Sequence, residues 1–213
     1  SVCLGVVAVV LILFWTLFAL SSVTVKFHTT TKNLTLTEAE IVEAGDFQYG
    51  ACVFFDGKSK YIDRLNEKVQ ENENFAYLEV VNIETIFPNR YVIHVAEREE
   101  VFAYQSENEV LILDDDLRVL RRENLADSAS RDNAIELVNL SVLTEDIAVG
   151  DFLEVEQQGV LNLYNAFLAN NRTLEEQKGF IKEIELGTNT AEVTGLSYVS
   201  AKIITHNGRE FMI

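Results

Sequence analysis

Hydrophobic residues are distributed along this chain in three distinct ways. The first is a continuous run, Val2 to Leu20, V-C-L-G-V-V-A-V-V-L-I-L-F-W-T-L-F-A-L, with no charge before Lys26. As a helix those residues span about 28 Å, close to the apolar thickness of a bilayer. Trp15 and Phe18 lie at the outgoing end, where aromatic rings favour the interface. The run predicts an uncleaved single transmembrane anchor over residues 1–22. Ala19-Leu20-Ser21 offers a small-x-small cleavage site, but the apolar run is longer than that of an ordinary signal peptide. The chain starts at Ser1 with no basic flank, which reads as a fragment without its start and removes the charge count that sets orientation.

The second pattern is alternation. Val23, Val25 and Phe27 predict a strand leading out of the anchor. Tyr91, Ile93 and Val95 alternate against Val92 and His94, and Tyr77 to Phe87 is dense in β-branched and aromatic residues. Pro88-Asn89, holding the only proline, joins these two runs into a hairpin, with proline presetting φ and asparagine tolerating a left-handed backbone. Later strand candidates are Val101 to Tyr104, Val110 to Leu113, Ile135 to Val142, Phe180 to Leu186, Ala191 to Val193 and Tyr198 to Ile204. Asn207-Gly208 is a two-residue hairpin signal that turns Ile203-Ile204 back onto Phe211-Met212-Ile213.

The third pattern is helical spacing. Thr37-Glu38-Ala39-Glu40 is a capping box opening a short helix, which Gly45 closes in the left-handed conformation. Tyr61-Ile62, Leu65 and Val69 form one buried face of a helix over Ser59–Gln70. Val155, Val160, Leu163-Tyr164 and Phe167-Leu168 make an apolar stripe on a helix over Glu154–Asn170. Gly50, Asp56-Gly57 and Gly150 punctuate loops, and Arg121 to Asn133 is polar enough to read as a flexible connection. The predicted architecture is α+β: the anchor, a β-α-α-β-β domain over 23–99, and a mixed β-rich domain with a packed helix over 100–213, truncated at its C-terminus.

Charge and chemistry narrow the function. Seventeen basic against 34 acidic residues give a formal net charge of −17, which argues against nucleic acid as a partner because phosphate needs basic stripes. Cys3 and Cys52 are too differently placed for a structural disulfide, and Cys52 reads as a small core residue. Asp114-Asp115-Asp116 lacks the spacing and glycine of a calcium loop and reads as a solvated turn. His28, His94 and His206 are each isolated from other ligand-type residues, so no metal site is expected. No nucleophile elbow or phosphate-cradling loop is present. Asn33-Leu34-Thr35, Asn139-Leu140-Ser141 and Asn171-Arg172-Thr173 have the glycosylation pattern but read as exposed polar loops. No catalytic residue, cofactor or small-molecule substrate is assigned.

One stretch carries a resemblance. The order strand, T-E-A-E-I-x-x-A-G, loop, amphipathic helix, then F-A-Y-L-E-V-V-N-I-E-T-I-F-P-N-R-Y-V-I-H-V-A-E-R, resembles a POTRA domain, most of all that of the bacterial FtsQ/DivIB cell-division family. Pro88 and Glu97-Arg98 match the family's proline before a strand ending in Glu-Arg. Ile112 to Val119 fits its apolar-Asp-x-x-Gly-x-apolar turn in outline, with Leu117 where the glycine stands. The resemblance is specific from Val23 to about Val119, and none of its motifs is catalytic. It implies a bitopic scaffold of the divisome, single-pass in the cell membrane, with the bulk of the chain extracytoplasmic at the division septum. Such a scaffold recruits and regulates septal peptidoglycan synthesis through protein–protein contacts. The implied partners are small bitopic coiled-coil divisome proteins and, through them, the septal wall synthase. The implied contact is the late sheet edge, here Ile203, Ile204, Phe211 and Ile213, used by strand addition. Two other classes stay open, a POTRA-type polypeptide transport or chaperone module and an anchored cell-wall hydrolase.

Overall fold

The computed structural model describes residues 2–29, 32–106, 109–125, 134–143, 146–169, 173–190 and 197–212. These form two compact units, Ser1–Arg98 and Glu99–Ile213, with five α-helices and ten strands. The class is α+β.

The first unit opens with helix α1 (Val2–Phe18), 17 residues long. At 1.5 Å per residue it spans about 26 Å, against about 30 Å of hydrocarbon. No helix among the described residues is long and apolar enough to cross a membrane. The expected transmembrane anchor, and the single-pass placement built on it, are corrected accordingly. The helix stops short because the end of the apolar run belongs to the fold behind it. Ala19 bridges Cys52, Leu20 N–H donates to the Ala51 carbonyl at 2.8 Å, and Val53 N–H satisfies the Phe18 carbonyl at 2.9 Å. Leu20 is 2% exposed.

Strand β1 (Ser22–Phe27) follows, then helices α2 (Glu38–Ala44) and α3 (Ser59–Glu71), a 3-10 turn (Glu73–Phe75), and strands β2 (Leu78–Ile86) and β3 (Arg90–Glu97). The sheet order is β1-β3-β2, with β1 parallel and β2 antiparallel to β3. Tyr61, Leu65 and Val69 of α3 are buried, as are Ile83, Tyr91, Ile93 and Val95 of the sheet. The capping box at Thr37 is fully made: Glu40 N–H donates to the Thr37 hydroxyl and Thr37 N–H to the Glu40 carboxylate. Gly45, however, is right-handed (φ −69°), and Asp46 (φ 45°) takes the left-handed place. The glycine serves close approach instead. A Cβ there would lie 2.2 Å from the Phe47 ring. Asn89 is likewise not among the residues with positive φ, so the Pro88 turn forms without a left-handed asparagine.

The second unit is a seven-stranded sheet of order β10-β9-β8-β7-β4-β5-β6. Its strands are β4 (Phe102–Ser106), β5 (Glu109–Leu113), β6 (Val119–Asn124), β7 (Ile135–Val138), β8 (Ile181–Thr190), β9 (Ser197–Thr205) and β10 (Glu210–Met212). The β4–β7 and β7–β8 pairs are parallel and the others antiparallel. Helices α4 (Gln158–Ala169) and α5 (Leu174–Phe180) make the crossover to β8.

Several expectations shift here. The polar stretch from Arg121 is β6 as far as Asn124, held by ion pairs rather than burial: Arg121 to Glu100 at 2.7 Å, and Arg122 to Glu109. The rest of that expected connection, 126–133, lies outside the described residues, as do the Ala191–Val193 strand, Asn171-Arg172 and Ile213. The strand from Ile135 ends at Val138, since Asn139 turns left-handed (φ 59°). Helix α4 starts four residues late because 154–156 pairs with 141–143 as extended chain. Leu143 N–H donates to the Glu154 carbonyl, and the Gln157 side chain closes on Ser141. Its buried residues include Leu161 and Tyr164, whereas Leu163 is exposed. The turn at Asp114 forms without a glycine: Leu117, fully buried, adopts φ 65°. Asp114 is not solvated but 1% exposed, accepting the N–H groups of Asp116 and Arg118 at 3.0 and 2.8 Å.

Candidate interaction site

The late sheet edge is built by the hairpin of β9 and β10. The turn is longer than the two residues that Asn207-Gly208 suggested. Thr205 N–H donates to the Arg209 carbonyl and Arg209 N–H to the Thr205 hydroxyl, leaving His206-Asn207-Gly208 as the loop with Gly208 at φ 77°. That geometry is a three-residue hairpin with glycine in the left-handed position. Thr205 is 1% exposed, and its hydroxyl donates to Asn207 Oδ1 at 2.6 Å. The register that follows pairs Ile204 with Glu210, Ile203 with Phe211 and Lys202 with Met212.

Because side chains alternate across a strand, this register separates the expected contact residues. Ile203 and Phe211 share one face, in line with the buried Ile184 of β8. Phe211 is 46% exposed there, with its ring centroid 6.5 Å from that of Phe180. Ile204 lies on the opposite face between Glu183 and Glu210. Lys202 shares that second face with Glu185 and Met212, and its amine sits 2.7 Å from Glu185 and 3.8 Å from Glu210. The hydrogen bond to Glu185 raises the Lys202 amine above its ordinary range. Ile203, Ile204 and Phe211 are thus brought together around one edge but not onto one surface; Ile213 lies outside the described residues.

The backbone of the edge is as informative as its side chains. With Thr205 and Arg209 bonded, antiparallel alternation turns the N–H and C=O of Phe211 inward to Ile203 and those of Glu210 and Met212 outward. Two of the other edges are blunted. On β2 a bulge between Val80 and Asn82 extrudes Val81, which is 55% exposed, and a bulge on an edge strand discourages pairing. On β6 the loop at Gly150–Phe152 already occupies one end, with Val119 N–H donating to Asp151 and Gly150 N–H to Val119.

Sequence reasoning missed two polar clusters of the first unit. In one, the Asp56 carboxylate, 3% exposed, accepts from the Tyr61 hydroxyl at 2.6 Å, from Lys60 at 2.5 Å and from the Tyr91 hydroxyl at 3.4 Å. Burial raises both tyrosine hydroxyls above their ordinary range, and the hydrogen bond to Asp56 raises Lys60. Asp56 thereby pins the loop that carries Phe54, whose ring meets Phe14 and Phe18 of α1 and Phe87 at centroid distances of 4.7–5.7 Å. The other cluster joins two histidines that looked isolated: His28 Nε2 is 2.7 Å from His94 Nδ1, and His94 Nε2 is 3.0 Å from Glu84. Neither was legible without the strand register. In the second unit, Asp116, Phe152, Leu153, Glu154, Val155 and Gln158 line an open cleft of about 380 Å³. Among the described residues no group of three or more His, Cys, Asp or Glu side chains is placed to hold a metal ion.

No protein-family model matches the chain, and no curated protein matches it either.

Proposed function

We propose that this protein is a scaffold that binds a partner polypeptide by strand addition at β10. The single observation that carries this reading is the outward-facing backbone of Glu210 and Met212 on an unbulged strand at the edge of the sheet that the described residues form, flanked by the exposed Phe211. Each added backbone pair satisfies groups otherwise left to water, and side chains on alternate faces set specificity. The two faces ask for different chemistry, apolar beside Phe211 and basic beside Glu210 and Glu183. The resemblance at Pro88, Glu97-Arg98 and Ile112–Val119 supports cell division as the setting. There the partner is a small coiled-coil division protein, and through it the septal wall synthase.

Proline scanning of the full chain tests this directly. Met212→Pro removes an outward N–H, which an edge strand tolerates, whereas Val81→Pro alters the bulged edge of β2. Co-purification with the cognate coiled-coil division protein is expected to be lost for Met212→Pro and kept for Val81→Pro. Retention in Met212→Pro with loss in Val81→Pro would move the docking edge to the first unit.

A further inference from the structure

We infer that His28, His94 and Glu84 form a proton-gated latch holding the end of β1 to the centre of its sheet. The three side chains come from three different strand regions: His28 just after β1, His94 in the central β3, and Glu84 in β2. His28 N–H donates to the Val95 carbonyl at 2.9 Å, so the backbone there continues the β1–β3 pairing by one bond. His94 is the middle member. It lies 2.7 Å from His28 through Nδ1 and 3.0 Å from Glu84 through Nε2.

The chemistry of the three groups fixes the direction of the chain. A carboxylate only accepts, so His94 Nε2 carries a proton and donates it to Glu84. When His94 is neutral its Nδ1 is then a bare lone pair, and it accepts from His28 Nε2–H. The rings are 23° from parallel, and their centroids lie 4.9 Å apart, 2.2 Å more than the two nitrogens. The nitrogens therefore face each other nearly head-on, which suits one proton between them. Two imidazoles on one metal ion need their nitrogens at least about 2.9 Å apart and converging on a common point, so a proton fits this contact and a metal does not.

This arrangement counts protons. One added proton still leaves a single proton between the two rings, whichever of them carries the charge, and the contact survives. A second added proton makes both rings imidazolium and puts two N–H donors nose to nose, and the contact cannot survive. Two other side chains bear on the balance from the same face: Lys26, the lateral neighbour of His94 on β1, and Asn82, its neighbour on β2. Lys26 opposes a second positive charge, Glu84 offsets one, and Asn82 is neutral. The opened form binds one more proton than the closed form, so the latch weakens as pH falls. Beyond His28, the Glu97 carboxylate accepts from Lys32 and Asn33 N–H at 2.5 and 2.8 Å, and Thr29 accepts from Glu97 N–H. Release therefore affects the β1 end and the turn anchored on Glu97, while leaving the antiparallel β2–β3 hairpin intact.

Long-range proton–nitrogen NMR of the imidazoles, with amide hydrogen exchange on the full chain, tests the latch between pH 8 and pH 5. At pH 8 both rings are expected as Nε2–H tautomers. With one proton added to the pair, the His28 amide stays protected. When both rings are doubly protonated, the protection factor of the His28 amide, its exchange rate taken against the intrinsic rate at the same pH, falls about tenfold, the equilibrium factor that one hydrogen bond carries. His28→Gln abolishes this coupling, and the exchange of Ile83 and Ile93 amides serves as the check that the sheet remains folded. An Nδ1–H tautomer of His94 at pH 8, or double protonation of both rings with no fall in the protection factor of the His28 amide, would overturn the proposal.

Discussion

Gly45→Ala sets two well-defined effects against each other. The Gly45 backbone is right-handed helical, with φ −69° and ψ −17° at the end of α2. At such a position alanine ordinarily stabilises by roughly 0.5–1 kcal/mol, because glycine loses more freedom on folding. The added Cβ, however, would stand 2.2 Å from Phe47 Cε2 and 2.9 Å from Cδ2. Phe47 has little room to yield: it is 7% exposed and stacked on Tyr61 with ring centroids 4.4 Å apart. Overpacking of this kind costs about 1–3 kcal/mol, so the net expectation is a loss of about 1–2 kcal/mol. In urea unfolding followed by circular dichroism, that lowers the midpoint by roughly 0.5–1 M for an m value near 2 kcal/mol/M. The mechanism predicts a reversal of sign in a second background. Phe47→Ala alone costs about 3–5 kcal/mol, but with the ring gone Gly45→Ala should stabilise by roughly 0.5–1 kcal/mol, and the double-mutant cycle reports the coupling. A Gly45→Ala protein at least as stable as the parent would refute the claim that this glycine exists for the Phe47 ring.

The remaining expectations are simpler. Leu65→Ala removes a fully buried side chain of α3 and should cost about 2–5 kcal/mol. Lys68→Ala, on the exposed side with only a 2.5 Å surface pair to Glu71, should stay within about 0.5 kcal/mol in the same denaturation series. Tyr164→Phe deletes a buried hydroxyl with no hydrogen-bond partner among the described residues, and thermal unfolding should show a gain of about 1 kcal/mol. The Thr37 N–H and hydroxyl hold the Glu40 carboxyl below its ordinary range. Their contribution is therefore fully present above the ordinary carboxylate range and lost as pH falls through the lower folded value. Thr37→Ala should make acid unfolding less steep in a pH titration of helicity.

What the chain revealed beforehand depended on how local the signal was. Alternation at Val23, Val25 and Phe27 and at Tyr91, Ile93 and Val95 placed β1 and β3, because burial on one face repeats every second residue. The capping box at Thr37 placed α2. The same T-x-x-E signature at Thr173 to Glu176 opens α5 with both capping bonds made, and it was there to be read. The second half of β6 was hidden because its polar R-R-E-N run is held by ion pairs to Glu100 and Glu109 rather than by a buried stripe. The extent of α1 was misjudged for a related reason: Ala19 and Leu20 continue the apolar run, but long-range backbone bonds to Gly50–Cys52 capture them as extended chain. The residues expected at the contact lie around the β9–β10 hairpin, yet the face each one occupies follows from the Thr205–Arg209 closure, which hydrophobicity does not report. The His28–His94–Glu84 chain and the Asp56 cluster were invisible for the same reason, since each joins side chains far apart in sequence.

The central claim, that a partner strand adds to β10, is tested most directly by hydrogen exchange at two amides. The Glu210 and Met212 N–H groups point away from β9, so in the unbound chain they are expected to exchange freely, while Phe211 N–H is held by the hairpin. Adding the proposed partner, a coiled-coil division protein, should slow Glu210 and Met212 and leave the β2 amides at Glu79 to Ile86 unchanged. Slowing at β2 with Glu210 and Met212 still freely exchanging would contradict the account.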